Sequence, residues 1–132
     1  MAKARVRVHY ERMRKTSDLI WQDAQHQELF HTLDLIKRPG SDGTVLFKLK
    51  EYTENHFSLE ERYMVELDYP GRDAHIRAHN LFRVEIVQLL ECRQPDVLVR
   101  ELMATYLTEW LKRHVFGIDK ELEDFILRSG GR

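Results

Sequence analysis

Three breaks bearing proline or glycine cut this chain into stretches of helical length, and their placement limits the fold more than any other feature. They are Arg38-Pro39-Gly40-Ser41-Asp42-Gly43, Asp68-Tyr69-Pro70-Gly71 and Gln94-Pro95-Asp96. Proline lacks the amide donor a helix needs, and glycine supplies turn geometry, so these are connections. Between them apolar residues recur at three- and four-residue spacing, the period of one helical face. Segment A, about Asp18 to Lys37, presents Leu29, Phe30, Leu33 and Ile36. Segment B, about Thr44 to Leu67, presents Leu49, Tyr52, Leu59, Tyr63 and Leu67. Segment C, about Arg72 to Cys92, presents Ala78, Phe82, Ile86 and Leu89. Segment D starts near Asp96, presents Leu102, Tyr106, Trp110 and Leu111, and continues past Gly117 towards Leu127. Short connections between long helices make sequential helices antiparallel. The expected fold is all-α: an antiparallel up-down-up-down four-helix bundle with a short C-terminal helix. Residues 1–17 do not share the helical period. Val6, Val8 and Tyr10 alternate with Arg5, Arg7 and His9, which predicts an extended N-terminal arm ahead of a bundle over residues 18–132.

At 132 residues the chain is long enough to bury one core without disulfides. Cys92 is its single cysteine, so no disulfide forms within it, in keeping with a reducing compartment; the cytoplasm is the expected location. A formal net charge of −1 gives no general attraction to nucleic acid or to an anionic membrane. No apolar run approaches the roughly 20 residues that span a bilayer, and the basic N-terminus lacks the apolar stretch of a secretory signal.

The histidines carry the chemical signal. Seven occur, and five fall on the apolar stripes: His26 in segment A, His56 in B, His75 and His79 in C, and His114 in D. Glu60 interrupts the stripe of segment B one turn after His56. Residues four apart on a helix are nearly superposed, so His56/Glu60 and His75/His79 each aim two donors at one point. Imidazole and carboxylate suit iron and other first-row metals. A buried carboxylate is costly unless paired or metal-bound. One such histidine alone is usually a hydrogen-bonded core residue. Convergence from four helices is what argues for a metal. His9, in the arm, and His31, about 140° around the helix from His26, are expected on the surface. Glu61, about 100° from Glu60, is expected in solvent.

Read as His, His-x-x-x-Glu, His-x-x-x-His and His-x-x-x-x-Asp, these residues resemble the hemerythrin pattern, here His26, His56 to Glu60, His75 to His79 and His114 to Asp119. The surrounding words are also similar to bacterial hemerythrins: Asp-Ala-Gln-His-Gln-Glu-Leu-Phe around His26, Tyr-Thr-Glu-Asn-His-Phe-Ser-Leu-Glu-Glu-Arg-Tyr-Met around His56, and Trp-Leu-Lys-Arg-His ending at His114. The resemblance implies two iron ions. His75, His79 and His114 would hold one, His26 and His56 the other, with Glu60, Asp119 and an oxo or hydroxo group bridging them. It further implies that the second iron keeps a vacant position for dioxygen, and that Leu29, Phe57, Trp110 and Leu111 line its pocket. The resemblance departs at the arm: where the family carries a Trp and a Val-Gly-Ile stretch, this chain has Ser17-Asp18-Leu19 and an early Trp21.

The function this implies is reversible dioxygen binding, as carrier, store or sensor, with no catalysis. One alternative is a di-iron peroxidase or oxidase. Such enzymes are built on paired Glu-x-x-His motifs, whereas this chain has only Glu28 to His31. Another is an interaction module whose basic arm (Lys3, Arg5, Arg7, Arg12, Arg14, Lys15) docks a protein partner.

One spacing is irregular. His114 and Asp119 are five apart and diverge by about 140° on an ideal helix. If both face one centre, the segment departs from α geometry, either through a π-bulge or through a helix end near Phe116. Gly117 lies inside it, where a missing Cβ eases distortion.

Overall fold

The structure is a computed structural model that describes residues 14–38, 43–91 and 97–130. The arm before Arg14 with its His9, most of the first break, the third break and Cys92 lie outside the described residues. Five α-helices follow one another: α1 (Ile20–Lys37), α2 (Gly43–Glu66), α3 (Arg72–Glu91), α4 (Val97–Arg113) and α5 (Asp119–Arg128). A π-helical turn, His114–Ile118, joins the last two. The described residues contain no strand. No helix among them is long and apolar enough to cross a membrane. α1 packs against α2, α2 against α3, and α1 against α4. Phe82 of α3 and Trp110 of α4, with ring centroids 4.6 Å apart, close the bundle.

The second break shows how local chemistry ends a helix. Asp68 adopts a left-handed φ of 53°. The Tyr69 amide donates to the Met64 carbonyl at 2.9 Å and the Asp68 amide to Val65 at 3.2 Å. This is the Schellman pattern that satisfies the last carbonyls of a helix. Pro70 then prevents continuation. At Gly71 space is tight, since a Cβ there would lie 3.0 Å from the Tyr69 ring and would make it shift.

Packing divides the interior into three layers. A large apolar cluster gathers Leu29, Leu33, Leu49, Phe82, Ile86 and Leu111 among others. A smaller one holds Leu19, Met64, Leu122 and Ile126. The buried histidines and acids come from α1, α2, α3, the π turn and α5. On α4 the inward residues are Ala104, Leu107, Leu111 and His114, whereas Leu102 and Tyr106 are 61% and 51% exposed. The stripe expected for segment D is therefore rotated. Tyr106 and Leu102 lie about 80° and 120° from His114, on the side away from Leu107 and Leu111. Turning His114 inward carries both into solvent.

Candidate metal centre

Each donor reaches the centre because its helix turns that face inward. His26 comes from α1, His56 and Glu60 from α2, and His75 and His79 from α3, all at most 1% exposed. His114 opens the π turn and Asp119 follows it, at 3% and 1% exposure. The Asp119 amide bonds to the His114 carbonyl, the five-residue step of a π-helix. That wider turn superposes residues five apart. It brings His114 Nε2 to 2.9 Å from Asp119 Oδ1. The departure expected from the spacing is thus present in its π form. Gly117 is not what permits it: a Cβ there would meet nothing within 4 Å.

The donors form two overlapping sets, with atoms in each within 4.8 Å of one another. One contains Glu60, His75, His79, His114 and Asp119; the other contains His26, His56, Glu60 and Asp119. Both carboxylates belong to both sets. His26 Nε2 lies 2.9 Å from Asp119 Oδ2 and His75 Nε2 2.9 Å from Asp119 Oδ1. His79 Nε2 and His56 Nε2 approach Glu60 at 3.1 and 3.3 Å.

Several of these close approaches are not hydrogen bonds. His56 Nε2, His79 Nε2, His114 Nε2 and Glu60 Oε1 are buried without a hydrogen-bonding partner among the described residues. Groups of that polarity are seldom left so. The outward nitrogens explain the arrangement. Glu61 Oε2 lies 2.8 Å from His79 Nδ1 and, as a carboxylate, only accepts, so Nδ1 carries the proton. The Thr16 hydroxyl gives its one hydrogen to Asp23 Oδ1 at 2.9 Å, so at 2.9 Å it accepts from His26 Nδ1–H. His56 Nδ1 is paired with Gln25 Oε1 at 2.6 Å. Three histidines thereby keep Nδ1–H outward and turn Nε2 to the centre, the nitrogen that gives up its proton when imidazole binds a cation. The donor set fits two first-row metal ions.

Electrostatics point the same way. Burial disfavours charge on His56, but Glu60 and Asp119 outweigh it and raise its pKa to about 10. Burial is likewise overcome at His75 by Asp119 and Glu60, which raise it to about 9. Glu60 and Asp119 are held well below the usual carboxylate range: burial opposes this, and the surrounding histidines override it. At His114 burial dominates and lowers the pKa despite Asp119 beside it. In the metal-free chain, protons on His56 and His75 stand where a cation would.

Glu61 corrects the expectation of a solvated side chain. It is 22% exposed and bonded to both His79 and Arg83. A neighbour of Glu60 on its own helix points away, yet α3 packs beside α2 and brings His79 to it. His31 is half-buried and belongs to neither donor set. Sequence reasoning does not single out Thr16, Gln22 or Gln25; Gln22 Nε2 donates to Glu60 Oε2 at 2.7 Å. For the two glutamines the one sequence signal is placement one turn before His26 or beside it. Among the predicted pocket residues, Leu29, Phe57 and Leu111 are buried in the large cluster and Trp110 packs against it. Phe57 stacks on His79 at 3.8 Å and Trp110 on His114 at 4.8 Å. A cavity of about 210 Å³ between α2 and α3 is lined by Lys50, Thr53, Glu54, Arg83, Ile86 and Val87, none of them among the seven donors.

Fold and site together define a helical bundle with a buried histidine–carboxylate centre. The hemerythrin HHE cation binding domain matches residues 18–126. Similar proteins include a bacteriohemerythrin of Stenotrophomonas maltophilia, 27% identical over 80% of each chain. A myohemerythrin of Sipunculus nudus is 34% identical over 74% of this chain and 76% of its own. A myohemerythrin of Riftia pachyptila is 28% identical over the same shares. No solved structure matches. The chain belongs to the hemerythrin family.

Proposed function

We propose that this protein binds dioxygen reversibly, without catalysis, at a di-iron centre. His75, His79 and His114 hold one iron, His26 and His56 the other, and Glu60 and Asp119 bridge them. The observation that carries this is the sharing of both carboxylates between the two donor sets. Five protein groups surround one position and four the other, and a position short of a donor is what a ligand-binding metal needs. When bound, the irons supply the electrons that dioxygen takes up and returns. The chain's own residues orient and shield. Thr16, Gln25 and Glu61 hold the Nδ1–H groups outward so that Nε2 is the nitrogen each imidazole turns to the metals, and Gln22 holds one oxygen of Glu60. Leu29, Phe57, Trp110 and Leu111 line the ligand pocket and exclude water, which would slow departure of the oxygen in reduced form, the loss that leaves the irons oxidised.

Iron-loaded protein is expected to hold two irons per chain and to show oxo-to-iron bands in the near ultraviolet. The reduced form should colour in air and bleach under vacuum through repeated cycles. One metal per chain, or zinc occupancy with no coloured adduct in the reduced iron protein, overturns the assignment.

A further inference from the structure

Arg83 lies on α3 one turn beyond His79 and is 24% exposed. Its five N–H groups are all matched. Nε donates to Glu54 Oε1 at 2.9 Å and Nη2 to Glu54 Oε2 at 3.2 Å. Nη1 donates to Glu61 Oε2 at 3.0 Å and to Asn80 Oδ1 at 2.8 Å. The remaining Nη2 hydrogen reaches Glu61 Oε1 at 3.3 Å. The guanidinium also sits 5.2 Å from the centroid of Phe57, the ring stacked on His79.

An arginine joining two helices through an exposed and a half-buried acid would ordinarily be a staple, worth little beyond that. One atom argues for more. Glu61 Oε2 accepts from Arg83 Nη1 and is also the oxygen that receives the His79 Nδ1 proton at 2.8 Å. A carboxylate oxygen bonded to a guanidinium has less charge to offer a second donor. We propose that Arg83 is a positioning residue for the metal centre. By clamping Glu61 it limits how far that carboxylate draws the proton from His79, and so sets how strongly the opposite nitrogen donates to iron. This rests on the di-iron reading. Without the arginine, His79 becomes more imidazolate-like, the iron it holds richer in electrons, and the oxidised state easier to reach.

The test uses the full chain with Arg83→Met, Arg83→Gln and Arg83→Lys, and Glu54→Gln as the staple control. In the iron-loaded protein, Arg83→Met is expected to lower the reduction potential and speed autoxidation several-fold. Arg83→Lys should recover most of the difference, and Glu54→Gln should lower the melting temperature while leaving the potential in place. A second readout needs no iron: in the metal-free chain, the ring ¹⁵N and Nδ1–H resonances of His79 should move in Arg83→Met, while those of His75, whose Nδ1 has no partner among the described residues, stay put. If Arg83→Met does not fold, Arg83→Gln supplies both measurements. Unchanged His79 resonances, or equal potentials in Arg83→Met and Glu54→Gln, overturn the proposal. A moved His79 signal in a chain that never binds two irons would overturn the di-iron reading while upholding the Glu61 clamp.

Discussion

On one side of Glu60 and Asp119, His79 and His114 lie under stacked aromatic rings, with Phe57 at 3.8 Å and Trp110 at 4.8 Å. On the other, His26 and His56 have no ring stacked on them among the described residues. They are held instead by Thr16 and Gln25, a hydroxyl and an amide from the start of α1 and the segment before it. The three-histidine side is therefore braced by the rings of α2 and α4 together with the Glu61 contact to His79. The two-histidine side depends on a few polar contacts near the arm. Stacked rings sit where the donor set is fuller, and polar contacts alone sit where a donor is lacking.

The sharpest way to break this comparison is to remove donors from one side at a time. His26→Ala is expected to reduce iron from two to one per chain, leaving the three-histidine set loaded. Asp119→Ala, which takes a donor from both sets, should lose both. Metal analysis after gel filtration decides; equal losses in the two variants would mean that the halves do not load separately.

The apolar bracing comes next in size. Phe57→Ala should cost about 3–5 kcal/mol and Leu111→Ala about 2–5 kcal/mol in denaturant unfolding, from lost burial and the cavity left. Leu111→Ala should also admit water and speed autoxidation of the iron-loaded protein. An unchanged autoxidation rate would make Leu111 ordinary core.

Thr16→Val probes the polar bracing with nearly the same shape. It leaves His26 Nδ1 and one bond to Asp23 unmet, at a cost of about 1–3 kcal/mol. Binding at the two-histidine side should weaken by roughly 10-fold or more. Thr16→Ser should restore it. If the serine variant binds no better than the valine one, the hydroxyl is not what holds His26.

The smallest effect is expected at Gly117, where a Cβ meets open space. Gly117→Ala should preserve iron content and stabilise the chain by about 0.5–1 kcal/mol, the usual gain of alanine over glycine within a helix. A loss of iron there would show that the π turn needs glycine after all.

The helices, the inward face of most of them, and six of the seven residues that the structure gathers are legible in the order of residues, Asp119 being added by the family resemblance. Facing is a local property: at about 100° per residue, His56 and Glu60 share a side of α2 wherever that helix packs. The five-residue step from His114 to Asp119 likewise announces a departure from α geometry. Which groups meet across helices is settled by packing instead. Packing rotates α4 so that Leu102 and Tyr106 face solvent, sets Glu61 against His79, and lays Arg83 over both Glu61 and Phe57. It also draws Thr16 onto His26 from beyond the helix that carries it. Those contacts depend on the axial offset and rotation of one helix against another, which interdigitating side chains set together and which no single stretch of sequence contains.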